Sequence, residues 1–205
     1  MNSKAVYIFP YYAYHIEKLY KNLDRFNKDD VLYLTSTLYY NILENLNSKV
    51  DKLDIYCIWD ENDKDNLPDE LKSTNYKIIF TDVSNKKIIF EKLSNKEFAS
   101  YKNNLIIFSD VIDVKPADYE QYFNLLNIEN ESLVIAKDKE NNIAVFGFNN
   151  YSNEIMNSLL KSNLNYNDFL GRIKSCAHFM HIVNDVLVVR NISDFKQLYI
   201  ELSQK

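Results

Sequence analysis

Seven short apolar runs recur along this chain, separated by longer amphipathic stretches, and that alternation narrows the possible folds sharply. The runs are Ala5–Phe9, Leu53–Ile58, Tyr76–Phe80, Leu105–Phe108, Leu133–Ala136, Ile143–Phe148 and Val186–Val189. Several are continuously apolar, which predicts strands covered on both faces. The intervening stretches predict helices. One follows Asp29 and Asp30 and runs to about Leu46, and one spans Ala117–Leu126 with Pro116 in its first turn. Two more are Tyr151–Ser162 and Tyr166–His178. The last starts at Asn191, with Asp194 as its capping acid, and runs to about Leu202. Strand–helix alternation implies βαβ units, hence an α/β three-layer sandwich. One pair of runs, Leu133–Ala136 and Ile143–Phe148, is joined only by the polar segment 137–142, a hairpin signal. The expected sheet is therefore open and mixed, mostly parallel, within one domain spanning residues 1–205. No composition break, linker or internal repeat interrupts it.

Composition supports a packed core and limits the ligand chemistry. Hydrophobic residues make up 46% of 205 residues and the formal net charge is −5. Nucleic-acid binders usually carry a basic face, and no basic run here exceeds Lys86-Lys87, so neither nucleic acid nor a membrane surface is an expected partner. No apolar stretch approaches the length of a membrane span. Cys57 and Cys176 form no metal or redox spacing and read as buried thiols of a reducing, cytoplasmic compartment. With only 2 glycines, no Gly-rich phosphate loop exists. Asparagine, which tolerates left-handed backbone, is expected to take turn positions at Asn103-Asn104, Asn141-Asn142 and Asn149-Asn150.

Open α/β sheets bind ligands beyond the carboxyl ends of their strands. Asp60, Asp82 and Asp110 fall just past predicted strands, and an oxygen-rich edge suits a hard divalent cation. Acids also end strands as turn formers and helix caps, so both readings stand. Tyr7, Tyr11, Tyr12 and Tyr14 surround Pro10, either packing or stacking on a ligand ring. His178 and His181 have the spacing to share a helix face, either in an apolar setting or as metal ligands.

The segment from Asn104 through Ser109, Asp110, Asp113 and Pro116 to Tyr119 resembles the central motif of the radical-SAM/selenodomain-associated transferases, a glycosyltransferase-A-like family. There a buried strand runs into Gly-Ser-Asp and a Pro-started helix follows. Ser109 and Asp110 match, and Phe108 replaces the glycine. The family's next motif, two strands around an acidic Asp-Gly-Gly turn, matches without gaps. Glu140 falls on the aspartate, Asn141 and Asn142 on the glycines, and Gly147 on a later glycine. The tail, Val188 to Phe195, resembles the family's terminal segment, with Val188 and Arg190 standing where two aspartates belong. The N-terminal loop retains only Pro10 and Lys18.

The resemblance implies a nucleotide-diphospho-sugar transferase-like fold and a nucleotide or nucleotide-sugar partner. It implies Mg²⁺ or Mn²⁺ on Asp110, with Asp113 auxiliary. Such a metal would neutralise charge on a diphosphate leaving group. Glu140 takes an acceptor-side acid or base role, unless it is a solvated hairpin tip. Pro10, Lys18, Ser109 and Arg190 become the nucleotide-contacting set. Arg190 admits two roles. It either binds ligand phosphate or serves as an internal counter-ion to Asp110 or Asp113 in place of a metal, and Asp194 can compensate it locally. Two functions follow: a glycosyl- or nucleotidyltransferase using an activated donor, or a non-catalytic binding or assembly domain of the same fold.

Overall fold

The computed structural model describes residues 3–10, 28–47, 52–67, 69–72, 76–83, 85–94, 96–173, 179–190, 193, 194, 196 and 200. Their strands are β1 (Lys4–Phe9), β2 (Leu53–Asp60), β3 (Lys77–Thr81), β4 (Asn103–Phe108), β5 (Ser132–Lys137), β6 (Ile143–Asn149) and β7 (Phe179–Ile182). Their α-helices are α1 (Lys28–Asn47), α2 (Lys86–Ser94), α3 (Pro116–Leu126), α4 (Asn153–Lys161) and α5 (Tyr166–Ile173). The strands form one sheet in the order β3-β2-β1-β4-β6-β5-β7. Only β6 runs against the others. The expected mixed, mostly parallel α/β sandwich is therefore the observed one.

Alternation along each strand feeds two cores. Ala5, Tyr7 and Phe9 of β1 enter one face, and Val6 and Ile8 enter the other. In β4, Ile106 and Phe108 join the first core while Leu105 and Ile107 join the second. The first core takes its helical side from α2, α4 and α5, the second from α1 and α3. Crossover handedness explains the separation of α1 from α2. The chain moves outward from β1 to β2 and β3, then reverses to place β4 on the other side of β1. Right-handed crossovers in opposite directions put α1 and α2 on opposite faces, whereas α3, on the β4–β5 connection that runs the same way as β3–β4, lies on the face of α1. The reversal places the sheet's topological switch point between β1 and β4, the position beyond whose strand C-termini α/β sheets bind ligands.

Local chemistry sets the element ends. Pro116 starts α3, where its missing N–H costs nothing, and the Asp118 carboxylate accepts the Lys115 N–H at 2.8 Å. Asn85 begins α2 by accepting the Lys87 N–H at 3.0 Å. Ser152 caps α4 through the Ile155 N–H. Asn141 and Asn150 adopt positive φ, 62° and 57°, as the asparagine argument expects. Asn103-Asn104 does not form a turn. It opens β4 in the interior, where Asn104 donates to the carbonyls of Phe98 and Tyr101 and accepts from the Tyr7 hydroxyl.

Three further expectations are corrected. Val186–Val189 is not a sheet strand and makes one antiparallel bridge, Val188 opposite Val111. The seventh strand is Phe179–Ile182, paired parallel to β5 at the sheet edge. His181 therefore lies on a strand, not on a helix face shared with His178, which is outside the described residues. The helix α2 was not anticipated, because its polar lysine-rich start masks a short apolar stripe. The terminal helix expected from Asn191 falls mostly outside the described residues, although Ser193 and Asp194 are helical. Among the described residues no helix is long and apolar enough to cross a membrane.

The two glycines predict opposite responses to alanine. A Cβ at Gly147 would lie 3.1 Å from Leu105 Cδ1, 3.2 Å from Leu126 Cδ1 and 3.3 Å from Val134 Cβ, within a buried β-sheet. Gly147→Ala should destabilise the protein by about 1–3 kcal/mol through overpacking. Gly171, in α5, has nothing within 4 Å of such a Cβ. Gly171→Ala should stabilise by about 0.5–1 kcal/mol through helix propensity. Urea denaturation of both variants reads the two signs.

Candidate functional site

The C-terminal end of β4 leads directly into Ser109 and Asp110, both buried. The Ser109 N–H donates to the Phe9 carbonyl at 2.7 Å, which fixes the turn against the end of β1. Residues 110–112 then pair with 187–189. The Val189 N–H reaches the Asp110 carbonyl at 2.9 Å, and the Ile112 N–H reaches the Leu187 carbonyl at 3.1 Å. This short antiparallel contact carries Arg190 to the β4 terminus.

There the Arg190 Nε donates to Asp110 Oδ2 at 2.5 Å, and its Nη1 donates to Asp138 Oδ2. The exposure of these side chains is 10% for Arg190, 4% for Asp110 and 1% for Asp138. Burial pushes the Asp110 carboxyl up to about 6, and the opposing pull of Arg190 only partly offsets it. The backbone N–H of Arg190 donates to Asp194 Oδ2 at 2.9 Å, and Lys139 Nζ donates to Asp194 Oδ1 at 2.9 Å.

Asp138 owes its burial to the β5–β6 turn. Its Oδ1 accepts the N–H groups of Glu140 and Asn142, each at 2.8 Å, and the Asn142 side-chain amide bonds both carboxylate oxygens. The aspartate thus folds the hairpin inward around itself, and the left-handed backbone of Asn141 closes the loop.

Partly buried Lys86, the first residue of α2, also belongs to this cluster, since its ammonium interacts electrostatically with both Arg190 and Asp110. Burial lowers its pKa to about 8. Repulsion from Arg190 adds to that shift, and Asp110 opposes it.

The sequence candidates distribute unevenly over this geometry. Asp110, Arg190 and Asp194 come together. Ser109 sits at their base, and Pro10 follows β1 directly. Exposed Asp113 uses Oδ1 to accept the Leu187 N–H at 2.8 Å. Glu140 is exposed at the hairpin tip. Lys18 and Tyr11, Tyr12 and Tyr14 lie outside the described residues. Tyr7 is a core residue that stacks on Tyr56 at 4.9 Å. Asp60 accepts the Asn62 N–H at 2.9 Å as the cap of a 3₁₀ turn.

Sequence reasoning missed Lys86 and gave Asp138 no role of its own. The available signal was an aspartate two residues past an unbroken apolar run, followed by the asparagine pair of a tight turn.

A divalent cation on Asp110 and Asp113 does not fit this donor set as it stands. One Asp110 oxygen faces the guanidinium and one Asp113 oxygen holds a backbone N–H. Among the described residues no group of three or more His, Cys, Asp or Glu gathers to hold a metal.

No family model matches the sequence, and no curated protein matches it. Solved structures do resemble the fold. A candidate nucleotide-diphospho-sugar transferase from Desulfovibrio desulfuricans G20 superposes with a TM-score of 0.77 at 15% identity, over 97% of this chain and 87% of that one. The CMP:2-keto-3-deoxy-manno-octonic acid synthetase, solved with CTP, gives 0.54 at 10% identity, over 98% and 99%. Rv0371C from Mycobacterium tuberculosis H37Rv, solved with manganese, gives 0.51 at 11% identity, over 97% and 98%. These likenesses establish a fold of the nucleotide-diphospho-sugar transferase and nucleotidyltransferase type. They lend no support to the narrower radical-SAM-associated grouping.

Asp138 and Glu140, two residues apart, should respond very differently to substitution. Asp138→Ala removes the turn's internal acceptor and leaves Arg190 with one carboxylate fewer, so a loss of about 3–5 kcal/mol is expected. Exposed Glu140→Ala should stay within about 0.5 kcal/mol of the parent. Chemical denaturation of the pair separates the structural acid from the solvated one.

Proposed function

We propose that this chain is a glycosyltransferase-like or nucleotidyltransferase-like protein that binds a nucleotide or nucleotide-activated donor over the C-terminal ends of β1 and β4. The observation that carries this reading is the charged cluster of Asp110, Asp138, Asp194, Arg190, Lys139 and Lys86 beside the sheet's topological switch point. The nucleotide chemistry named for its structural neighbours agrees with it.

In this reading Pro10 and Ser109 form the floor, Lys18 and Arg190 contribute positive charge, and Lys86 meets the donor's phosphate from α2. Glu140 is the acceptor-side acid or base of a transfer reaction. Asp113 is auxiliary and positions residues 187–190 through its bond to Leu187. The work of this set is to bind and orient an anionic donor in the reducing, cytoplasmic setting inferred from the cysteines.

A second reading is binding without turnover. It is favoured by one observation: the acids of the cluster are already engaged by Arg190 and Lys139 instead of standing open. Incubating the protein with donors and following them by ³¹P NMR separates the readings, since only a transferase consumes the donor.

Thermal shift with CTP, UTP, UDP-glucose and GDP-mannose tests the common premise. A ligand at about one hundred times its Kd adds about 2.7 kcal/mol, which in a chain of this size raises Tm by about 5–10 °C. No shift with any nucleotide would overturn the proposal. Lys86→Met should reduce the shift. Because Lys86 is cationic only below a pKa of about 8 in the free protein, affinity should fall as pH rises from 7 to 10. Calorimetry at the two ends of that range should show the loss in the parent and not in Lys86→Met.

A further inference from the structure

Two buried carboxylates from separate strand ends, Asp110 after β4 and Asp138 after β5, converge on one positive centre. Such convergence is the arrangement that binds a hard divalent cation, whose ligands are oxygens gathered from several segments. Here the centre is the guanidinium of Arg190. Its planar fork supplies Nε to one acid and Nη1 to the other, which a lysine's point charge cannot reproduce. The chain fixes that fork twice, through the Val111–Val188 bridge on one side and the Arg190 N–H to Asp194 on the other. Asp110 also keeps an unused acceptor. Its Oδ1 is buried and has no hydrogen-bond partner among the described residues.

The charge balance agrees with the geometry. Asp110, Asp138 and Asp194 contribute three formal negative charges, and Arg190, Lys139 and Lys86 three formal positive ones. A divalent ion added to this balanced set would meet Arg190 at 2.5 Å from the very oxygen it needs. Removing Arg190 takes away the one guanidinium that bonds both buried carboxylates and leaves Lys86 acting on Asp110 through space.

We propose that Arg190 is a built-in replacement for a divalent cation, so that the native site takes no Mg²⁺ or Mn²⁺ and the acid pair becomes a cation site only when the guanidinium is removed. Taken with the proposed nucleotide binding, on which this part rests, it follows that nucleotide binding here is independent of divalent metal.

The experiment has three arms. Mn²⁺ alone is titrated into the parent chain and followed by the EPR signal of the free ion. The same titration is made on Arg190→Gln, with and without Asp138→Asn. Nucleotide thermal shifts of the parent are recorded in EDTA and in Mn²⁺.

The expected result is no Mn²⁺ uptake by the parent and the same nucleotide shift in either buffer. Arg190→Gln should have a lower Tm that Mn²⁺ partly restores, with Mn²⁺ affinity gained by about tenfold or more. Asp138→Asn should abolish that gain. Mn²⁺ uptake by the parent overturns the proposal, as does a folded Arg190→Gln that gains no Mn²⁺ binding. Should Arg190→Gln not fold, the parent titration decides alone. An absence of any nucleotide shift speaks against the proposed function, while the Mn²⁺ arms still judge this inference.

Discussion

A guanidinium held between two buried carboxylates joins three segments that are distant in sequence. Arg190 is 80 residues from Asp110 and 52 from Asp138. The β4 end, the β5–β6 turn and the C-terminal segment therefore take fixed positions relative to one another through one side chain. Desolvating such a pair consumes most of its Coulombic attraction, and well-packed apolar residues often give equal or greater stability. Its value to the fold is one of arrangement. The Asp110 carboxyl stays raised beside an arginine, which shows burial prevailing over attraction at this site. Once formed, the contact is costly to break, because each acid lies where water does not reach it.

The two ends of the sheet are built with different chemistry. At the end where β1 and β4 begin, polar groups close on one another. The Tyr7 hydroxyl reaches Asn104, Tyr56 meets Tyr101 and Glu97, and Lys77 bonds Asp54, Tyr56 and Tyr101. Burial, then the hydrogen bonds with Tyr101 and Glu97, hold the Tyr56 phenol well above its ordinary range, beside the ion pair of Lys77 and Asp54. At the opposite end the partners are carboxylates, a guanidinium and ammoniums brought together from different elements. Closed networks rigidify a fold. Charged clusters at strand C-termini beside a reversal of strand order are where α/β sheets recognise ligands.

The sequence made this division legible only in part. Unbroken apolar runs disclosed β1, β4, β5 and β6 because both faces of these strands are covered, and Pro116 disclosed α3 because its ring fits only the first turn. The short edge strand β7 was hidden. Phe179, Met180 and Ile182 are exposed, so they lack the pattern of a buried strand. Asn103-Asn104 looked like a turn and became a strand because carbonyls from a neighbouring 3₁₀ segment satisfy its amide. At the site, Arg190 was noticeable as a cation replacing an acid. Asp138 was not, since its burial arises from hydrogen bonds within its own turn and from an arginine that no local window contains.

The origin of the positive charge also shapes what the site can do. A divalent ion that arrives with a nucleotide brings charge to the phosphates only when donor is present, and it can follow the leaving group as that group departs. An arginine fixed by Asp110, Asp138 and Asp194 is present before any ligand and cannot move far without exposing two carboxylates to each other. Its field is shared equally by the free and bound states. Interactions of that kind strengthen binding without favouring a transition state over the ground state. The same residue that secures the site's geometry thus biases it toward holding an anionic ligand. Any transfer chemistry must draw on groups other than this fixed arginine.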